Sequence, residues 1–301
     1  MTKSVFVSIV GRTNAGKSSL LNKIIGEKIA SVSSKPQTTR TRITGIRTEG
    51  GTQMVFMDTP GLHKPKNKLS NHMLSAAKSS VADMDAVIFM MDCTNKFVSD
   101  EETELLQTLM QSKSPVILVI NKIDLLEDKS ELISLITEMS GKYSFISVVP
   151  VSVINNDGVS IILDEVKKLA KDSPHYFPED KFTDQPERVL AAEMIREKLL
   201  RCLDKEVPHG IAVGIEQMDE RDDKDILDID AVIYCERISH KGIVIGKNGT
   251  MLKKIASQAR HDLERFFQIQ VNLKCWVKVK EDWRNKEGLI KNFGLSDEGV
   301  K

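Results

Sequence analysis

From residue 5 to about residue 170, short apolar runs alternate with amphipathic stretches. The runs are Val5–Val10, Gln53–Met57, Ala86–Met91, Pro115–Ile120 and Phe145–Val151. Nearly unbroken apolar strands suit a sheet covered on both faces, because each strand then buries both of its sides. Between them, Glu101–Gln111 and Glu131–Ser140 carry apolar residues at helical spacing. The alternation predicts an α/β unit: a mostly parallel sheet with helices on both faces. Thr41–Thr48 and Thr52–Asp58, joined by Glu49-Gly50-Gly51, predict a hairpin that adds one antiparallel strand.

The pattern breaks at residues 171–187, where Pro174, Pro178 and Pro186 predict an irregular linker. Beyond it the order helix, strand, strand, helix, helix, strand runs through 189–279. Its parts include a helix at Val189–Cys202, strands at Ile211–Ile215 and Ile226–Ile233, a helix at Gly249–Phe267 and a closing strand at Ile269–Val279. A chain of 301 residues is long for one core and fits two domains. We place the boundaries at 1–170, 171–187 for the linker, 188–285, and 286–301 for a tail.

Composition changes this picture little. The 43 basic and 43 acidic residues cancel, so bulk charge points to no polyanionic partner. No run reaches the roughly 18 apolar residues that span a bilayer. The N-terminal apolar run continues straight into Gly11 and is read as a buried strand, not a signal peptide. Cys93, Cys202, Cys235 and Cys275 show no metal-ligand spacing and suit reduced thiols in a cytosol.

Candidate chemistry begins where the first run ends. Gly11-Arg12-Thr13-Asn14-Ala15-Gly16-Lys17-Ser18 fits G-x-x-x-x-G-K-[ST] between a strand and a helix. Glycines let backbone N–H groups approach phosphates, the helix N-terminus adds positive potential, Lys17 reaches the β- and γ-phosphates, and Ser18 ligates Mg²⁺. Asp58-Thr59-Pro60-Gly61 closes the hairpin's second strand. An acid there holds Mg²⁺ through water, and Gly61 offers its N–H to a γ-phosphate. Asn121-Lys122-Ile123-Asp124 ends another apolar strand. The Asp124 carboxylate accepts from N1–H and N2–H₂ of guanine, where adenine would present an acceptor, so GTP is expected over ATP. Each tetrapeptide alone is also a plausible polar turn; their order at successive strand ends is what makes chance a poor explanation.

This stretch resembles the five motifs of small GTPases. The resemblance implies a P-loop fold whose nucleotide-binding residues are Gly11, Arg12, Thr13, Asn14, Ala15, Gly16, Lys17, Ser18, Asp58, Thr59, Pro60, Gly61, Leu62, Asn121, Lys122 and Asp124. Ser152 and Val153 would form the fifth motif, with valine where alanine is usual. Gln37-Thr38-Thr39-Arg40 looks like the first switch, whose Mg²⁺ ligand falls on Thr39, with Thr38 the alternative. Lys17, Thr39 and Gly61 then act at the reacting phosphate, with Ser18, Thr39 and Asp58 about the Mg²⁺. Leu62 stands where Ras-like enzymes carry a water-orienting glutamine. Leucine makes no hydrogen bond, so a slow intrinsic rate, raised by a partner or an ion, is expected; the plainer reading is that Leu62 packs the switch. In GTPases of the Era and MnmE type, an asparagine at the Asn14 position helps hold K⁺. His63, Lys64, Lys66 and Lys68 are read as a mobile solvated loop, and Lys35, Arg40 and Arg42 as a solvated face. No Ser-His-Asp triad or metal-ligand cluster stands out.

A second loop, Gly246-Lys247-Asn248-Gly249, has no Lys-Ser/Thr sequel and is not a second nucleotide site. An apolar run leads into it and a helix follows, with Met251, Leu252 and Ile255 on its buried face. That is the form of a type II KH domain, an α+β module whose Gly-x-x-Gly loop clamps about four nucleotides of single strand. Candidate RNA-binding residues are Gly246, Lys247, Asn248, Gly249 and Lys253. Charge placement agrees: Glu216–Asp230 holds eight acids and two bases, whereas Glu236–Glu287 holds twelve bases and six acids. The bland alternative is a plain turn between helices. The acidic stretch reads as a solvated hairpin, and Trp276 and Trp283 read as packing residues.

A GTPase unit followed by a linker and a KH unit resembles the Era family of bacterial GTPases over nearly the whole chain. The resemblance implies GTP/GDP and Mg²⁺ as ligands and binding to the 3′ end of 16S rRNA during 30S subunit maturation. It also implies a cytoplasmic monomer, partly peripheral at the inner face of the cell membrane, although no anchor or basic amphipathic helix is evident. Two other classes differ in testable ways. An RNA-binding scaffold that does not need hydrolysis would function without Lys17, and a nucleotide hydrolase or kinase would need a second substrate pocket after the linker.

Overall fold

Each of the five apolar runs of the first half becomes a strand, and three of these strands end on a polar residue, Asp58, Asp92 and Asn121. The computed structural model describes residues 2–62, 64–81, 84–95, 98–112 and 114–295. His63 and the last six residues of the tail lie outside them. Contacts divide the chain into two units: Met1–Ala30, Thr39–Pro65 and Met73–Asp184 form one, and Ser31–Thr38, Lys66–His72 and Gln185–Lys301 the other.

Strands of the first unit are β1 (Lys3–Gly11), β2 (Ile43–Glu49), β3 (Thr52–Asp58), β4 (Ala86–Asp92), β5 (Val116–Asn121), β6 (Ser147–Val151) and β7 (Lys171–Asp172). Its helices are α1 (Lys17–Ile25), α2 (Lys68–Ser79, whose first turns group with the second unit), α3 (Asp100–Ser112), α4 (Lys129–Lys142) and α5 (Val159–Lys168). The sheet runs β2-β3-β1-β4-β5-β6, with β7 beside β1. β1, β3, β4, β5 and β6 are parallel, and β2 pairs antiparallel with β3, as the hairpin predicted. Strands β4 and β5 bury both faces, with residues such as Ile88, Phe89, Leu118 and Val119 fully enclosed. Strand order reverses at β1, which lies between β3 and β4. In open α/β sheets ligands bind at such a switch point, beyond the carboxyl ends of the strands. Those ends are Gly11, Asp58, Asp92, Asn121 and Val151.

The linker departs from expectation. Residues 171–184 are laid along the first unit's sheet, and Lys171–Asp172 form a short antiparallel strand on β1. Gln53, fully buried, anchors the rest: its side-chain oxygen accepts from the N–H groups of Tyr176 and Phe177 at 2.8 and 3.0 Å. On the outer edge of β2, Ile46 N–H donates to Phe182 O at 2.8 Å and Thr183 Oγ1 to Thr44 O at 2.6 Å. An exposed strand edge needs partners, and proline-rich chain without regular structure can still supply its carbonyls. Lys68 likewise opens helix α2 instead of lying in a loop.

The second unit holds α6 (Glu187–Cys202), β8 (Ile211–Glu220), β9 (Ile226–Cys235), α7 (Ile238–Ile245), α8 (Thr250–Phe267), β10 (Gln270–Val279) and α9 (Glu287–Asn292). Its sheet has the order β10-β9-β8, with β8 antiparallel and β10 parallel to β9. Leu199 from α6, Ile233 from β9 and Ile255, Ala259 and Leu263 from α8 form its core. At the start of the predicted tail, α9 buries Ile290, and Phe293 meets Trp283 edge-on at 5.3 Å. Trp283 is buried, its indole N–H on Gly210 O at 2.9 Å. Trp276 is different. It is 44% exposed, because the period-2 alternation of β10 puts it on the outward face with Lys274 and Lys278. The four cysteines are all free. Among the described residues no helix is long and apolar enough to cross a membrane.

Candidate functional site

Gly11 and Gly16 fix the loop that leaves β1. Gly11 has φ +142°, and a Cβ there would lie 2.2 Å from Met90 O. Gly16 has φ +107°, and its Cβ would reach 2.3 Å from Asn121 Nδ2. No side chain fits either position, so the loop passes close to β4 and β5 before opening α1. Lys17 heads that helix, almost fully buried, with Nζ donating to Gly11 O at 3.0 Å and Arg12 O at 2.9 Å. Burial pulls its ammonium from 10.5 down to about 8, against the opposing charges of Asp58 and Glu102. A poorly solvated cation at a helix N-terminus is well placed to gain from an arriving polyphosphate.

Ser18, Thr39 and Asp58 come from a helix, a loop and a strand end, and they meet. Ser18 Oγ lies 2.6 Å from Asp58 Oδ2 and 2.7 Å from Thr39 Oγ1, and Thr39 Oγ1 donates to Asp58 Oδ2 at 3.3 Å. Asp58 is fully buried. Burial raises its pKa, opposed by Lys17 and by the two hydroxyls. Its other oxygen, Oδ1, is enclosed without a hydrogen-bond partner among the described residues. Two hydroxyl oxygens and a buried carboxylate with an unsatisfied oxygen fit a hard divalent cation such as Mg²⁺. Thr38, the alternative switch threonine, turns back on its own loop, donating to Lys35 O at 2.6 Å. Thr39 is therefore the residue that faces Asp58.

The residues expected to read the base converge as well. Asn121 ends β5 with Nδ2 on Ala15 O at 2.8 Å and Oδ1 accepting Val153 N–H at 3.1 Å. Ser152 Oγ donates to Asp124 Oδ1 at 2.5 Å. The fifth-motif residues thus act on the fourth: serine orients the carboxylate, and the Val153 N–H is already taken by Asn121. Lys122 has φ +69° and its ammonium pairs with Asp92. Burial would raise the Asp92 pKa, but the hydrogen bonds from Lys122 and Thr94 outweigh it and lower it. Asp92 was missed from sequence, although an acid closing an apolar strand is the same signal that pointed to Asp58.

Thr59 Oγ1 ties this turn to β1, donating to Ile9 O at 3.0 Å, and Pro60 leads into Gly61. A Cβ on Gly61 would lie 2.7 Å from Thr13 Cα, so the turn rests directly on the P-loop. Leu62 is 2% exposed among Val10, Ala77 and Phe89, with its N–H on Gly11 O at 3.1 Å. It packs, as its plainer reading had it. Asn14 stands exposed on the loop with φ +63°.

In the second unit, Gly246, Asn248 and Gly249 have φ of +73°, +52° and +78°, so the loop between α7 and α8 needs its glycines. Lys247, Asn248 and Lys253 are exposed.

Comparisons with known proteins agree with both units. The family model for a 50S ribosome-binding GTPase matches residues 6–122, and a KH domain model matches residues 206–284. GTPase Era of Clostridioides difficile (strain 630) is 49% identical over 99% of this chain and 100% of its own length. GTPase Era of Ruminiclostridium cellulolyticum is 47% identical over 97% of each chain. The crystal structure of a point variant of Aquifex aeolicus Era bound to GDP·AlF₄⁻ shares 36% identity at a TM-score of 0.94, covering 98% of this chain and all of that one. A structure of Era in complex with MgGDPNP and nucleotides 1506–1542 of 16S ribosomal RNA gives the same values.

Proposed function

The chain belongs to the Era family of GTPases, and on that premise we propose that it is a GTP-dependent binder of the 3′ end of 16S rRNA, acting in 30S subunit maturation. It is a GTPase, hydrolysing GTP to GDP and phosphate. The observation that carries the site reading is the meeting of Ser18, Thr39 and Asp58 beside Lys17. These three would hold the Mg²⁺, which when bound supplies positive charge to the phosphate oxygens.

The chain's own residues do the rest. P-loop N–H groups and Lys17 cradle the phosphates, and Asp124, oriented by Ser152, selects guanine. The Gly61 N–H would meet the γ-phosphate, so that GTP would order the second switch where GDP would not. Leu62 is sequestered and orients no water, which supports a slow intrinsic rate. Asn14, exposed on the loop, carries a carboxamide able to hold K⁺, the ion proposed to raise that rate. In the second unit the Gly246–Gly249 turn and Lys247, Asn248 and Lys253 would grip the RNA backbone. A monomeric, cytoplasmic state with peripheral membrane association is proposed from the family alone.

The test is RNA affinity at fixed, stated salt, using a 16S rRNA 3′-end fragment and protein loaded with GDP or a non-hydrolysable GTP analogue. Tighter binding in the GTP state is expected. Equal binding would make the KH unit a static tether. A Lys17→Ala chain that keeps nucleotide-dependent RNA binding would favour the scaffold reading.

A further inference from the structure

The second residue of the P-loop has a partner that no nucleotide motif supplies. Arg12 Nη2 lies 2.9 Å from Glu102 Oε2, and the Glu102 side chain is 3% exposed. Glu102 sits in the first turn of α3, after Ser99. The Ser99 N–H donates to Glu102 Oε2 at 2.9 Å, and the Glu102 N–H donates back to Ser99 Oγ at 3.3 Å. That is a capping box, in which glutamine can also fill the glutamate's position. The cap does not explain the charge. A buried carboxylate is costly unless paired, and the guanidinium of Arg12 is the pair.

Arg12 is in turn tied through its backbone to the reacting end of the site. Its carbonyl accepts Lys17 Nζ at 2.9 Å and Ala15 N–H at 3.3 Å. It bridges to Leu62 as a parallel β-partner, and Leu62 follows the switch glycine, Gly61. One residue thus joins α3 by its side chain to the phosphate lysine and the switch turn by its main chain.

We propose that Glu102 is a positioning residue for hydrolysis: its carboxylate fixes Arg12, and Arg12 keeps the Gly61–Leu62 turn in register with Lys17. This rests on reading the site as a GTPase centre. GDP has no γ-phosphate, so its binding does not use the turn, whereas turnover does.

Glu102→Gln tests the charge alone, since glutamine preserves the cap. GDP affinity and melting temperature should stay near wild type, while single-turnover hydrolysis at saturating GTP falls about tenfold, the scale of one lost charge-assisted hydrogen bond. Arg12→Gln, which leaves the α3 cap untouched but lies in the nucleotide loop itself, should lose hydrolysis to the same extent, and the double variant should lose no more turnover than either single, as members of one unit do. Wild-type turnover in Glu102→Gln would overturn the proposal and leave Glu102 a cap. Additive losses of turnover in the double variant, or a loss of GDP affinity in Glu102→Gln matching its loss of rate, would overturn it too. Absence of hydrolysis by the unmutated chain would instead sink the GTPase reading on which it rests.

Discussion

Asn121 offers the sharpest test of how the nucleotide site is held. Asn121 is 4% exposed, and its carboxamide donates to Ala15 O at 2.8 Å and accepts from Val153 N–H at 3.1 Å, joining the Gly11–Ser18 loop to the loop after β6. Both partners are buried, Ala15 at 1% and Val153 at 6% exposure. Asn121→Ala therefore leaves one carbonyl and one amide enclosed and unpaired, at about 1–3 kcal/mol each. The sum is about 2–6 kcal/mol of lost order in the two loops. Bound nucleotide must restore that order, so even the low end weakens GDP about thirtyfold. Asn121→Asp divides the effect: it keeps an acceptor for Val153 but sets an oxygen against the Ala15 carbonyl. Fluorescent-GDP titration in Mg²⁺, with melting temperatures with and without GDP, reads both variants. If Asn121→Ala binds GDP within about threefold of wild type, the two bonds are not what organises the site, and the reasoning from unpaired buried groups fails.

Three further outcomes follow from the same geometry. Asp124→Asn should lose guanine affinity by at least about thirtyfold and gain relative affinity for xanthosine diphosphate, whose base offers an acceptor to the new amide donor; competition binding with both nucleotides checks it. Lys17 has its pKa lowered from 10.5 to about 8 by burial, so between those values the unfolded chain holds the proton that the folded chain has shed. The nucleotide-free protein should accordingly gain stability as pH rises through that window, by roughly 3 kcal/mol relative to Lys17→Met, measured by thermal melts at both ends. Gly246→Ala puts a Cβ 2.7 Å from Met251 Cβ at φ +73°, so RNA affinity should fall in a filter-binding assay while GDP affinity is unchanged.

Much of this was legible in the chain itself. Strands β1, β3, β4 and β5 follow from apolar runs because burial of both faces leaves a local composition that needs no partner to be read. The Gly11–Ser18 and Gly246–Gly249 loops were visible because glycines mark conformations that other residues rarely adopt. The proline-bearing stretch 171–187 misled for the converse reason: its hydrogen bonds run to Gln53, Thr44 and Ile46, more than a hundred residues away. Trp276 misled because hydrophobicity ranks a residue without saying on which face of the strand it falls.

The sequence by itself pointed to two units, their element order and a candidate guanine-nucleotide site, since periodicity, caps and strand-end motifs are properties of neighbouring residues. Tertiary structure decided that Thr39 and not Thr38 meets Asp58, that Asn121 spans two loops, and that Glu102 stands behind Arg12. Those are pairings between distant segments, fixed by sheet order and burial, and no short window of sequence contains both partners.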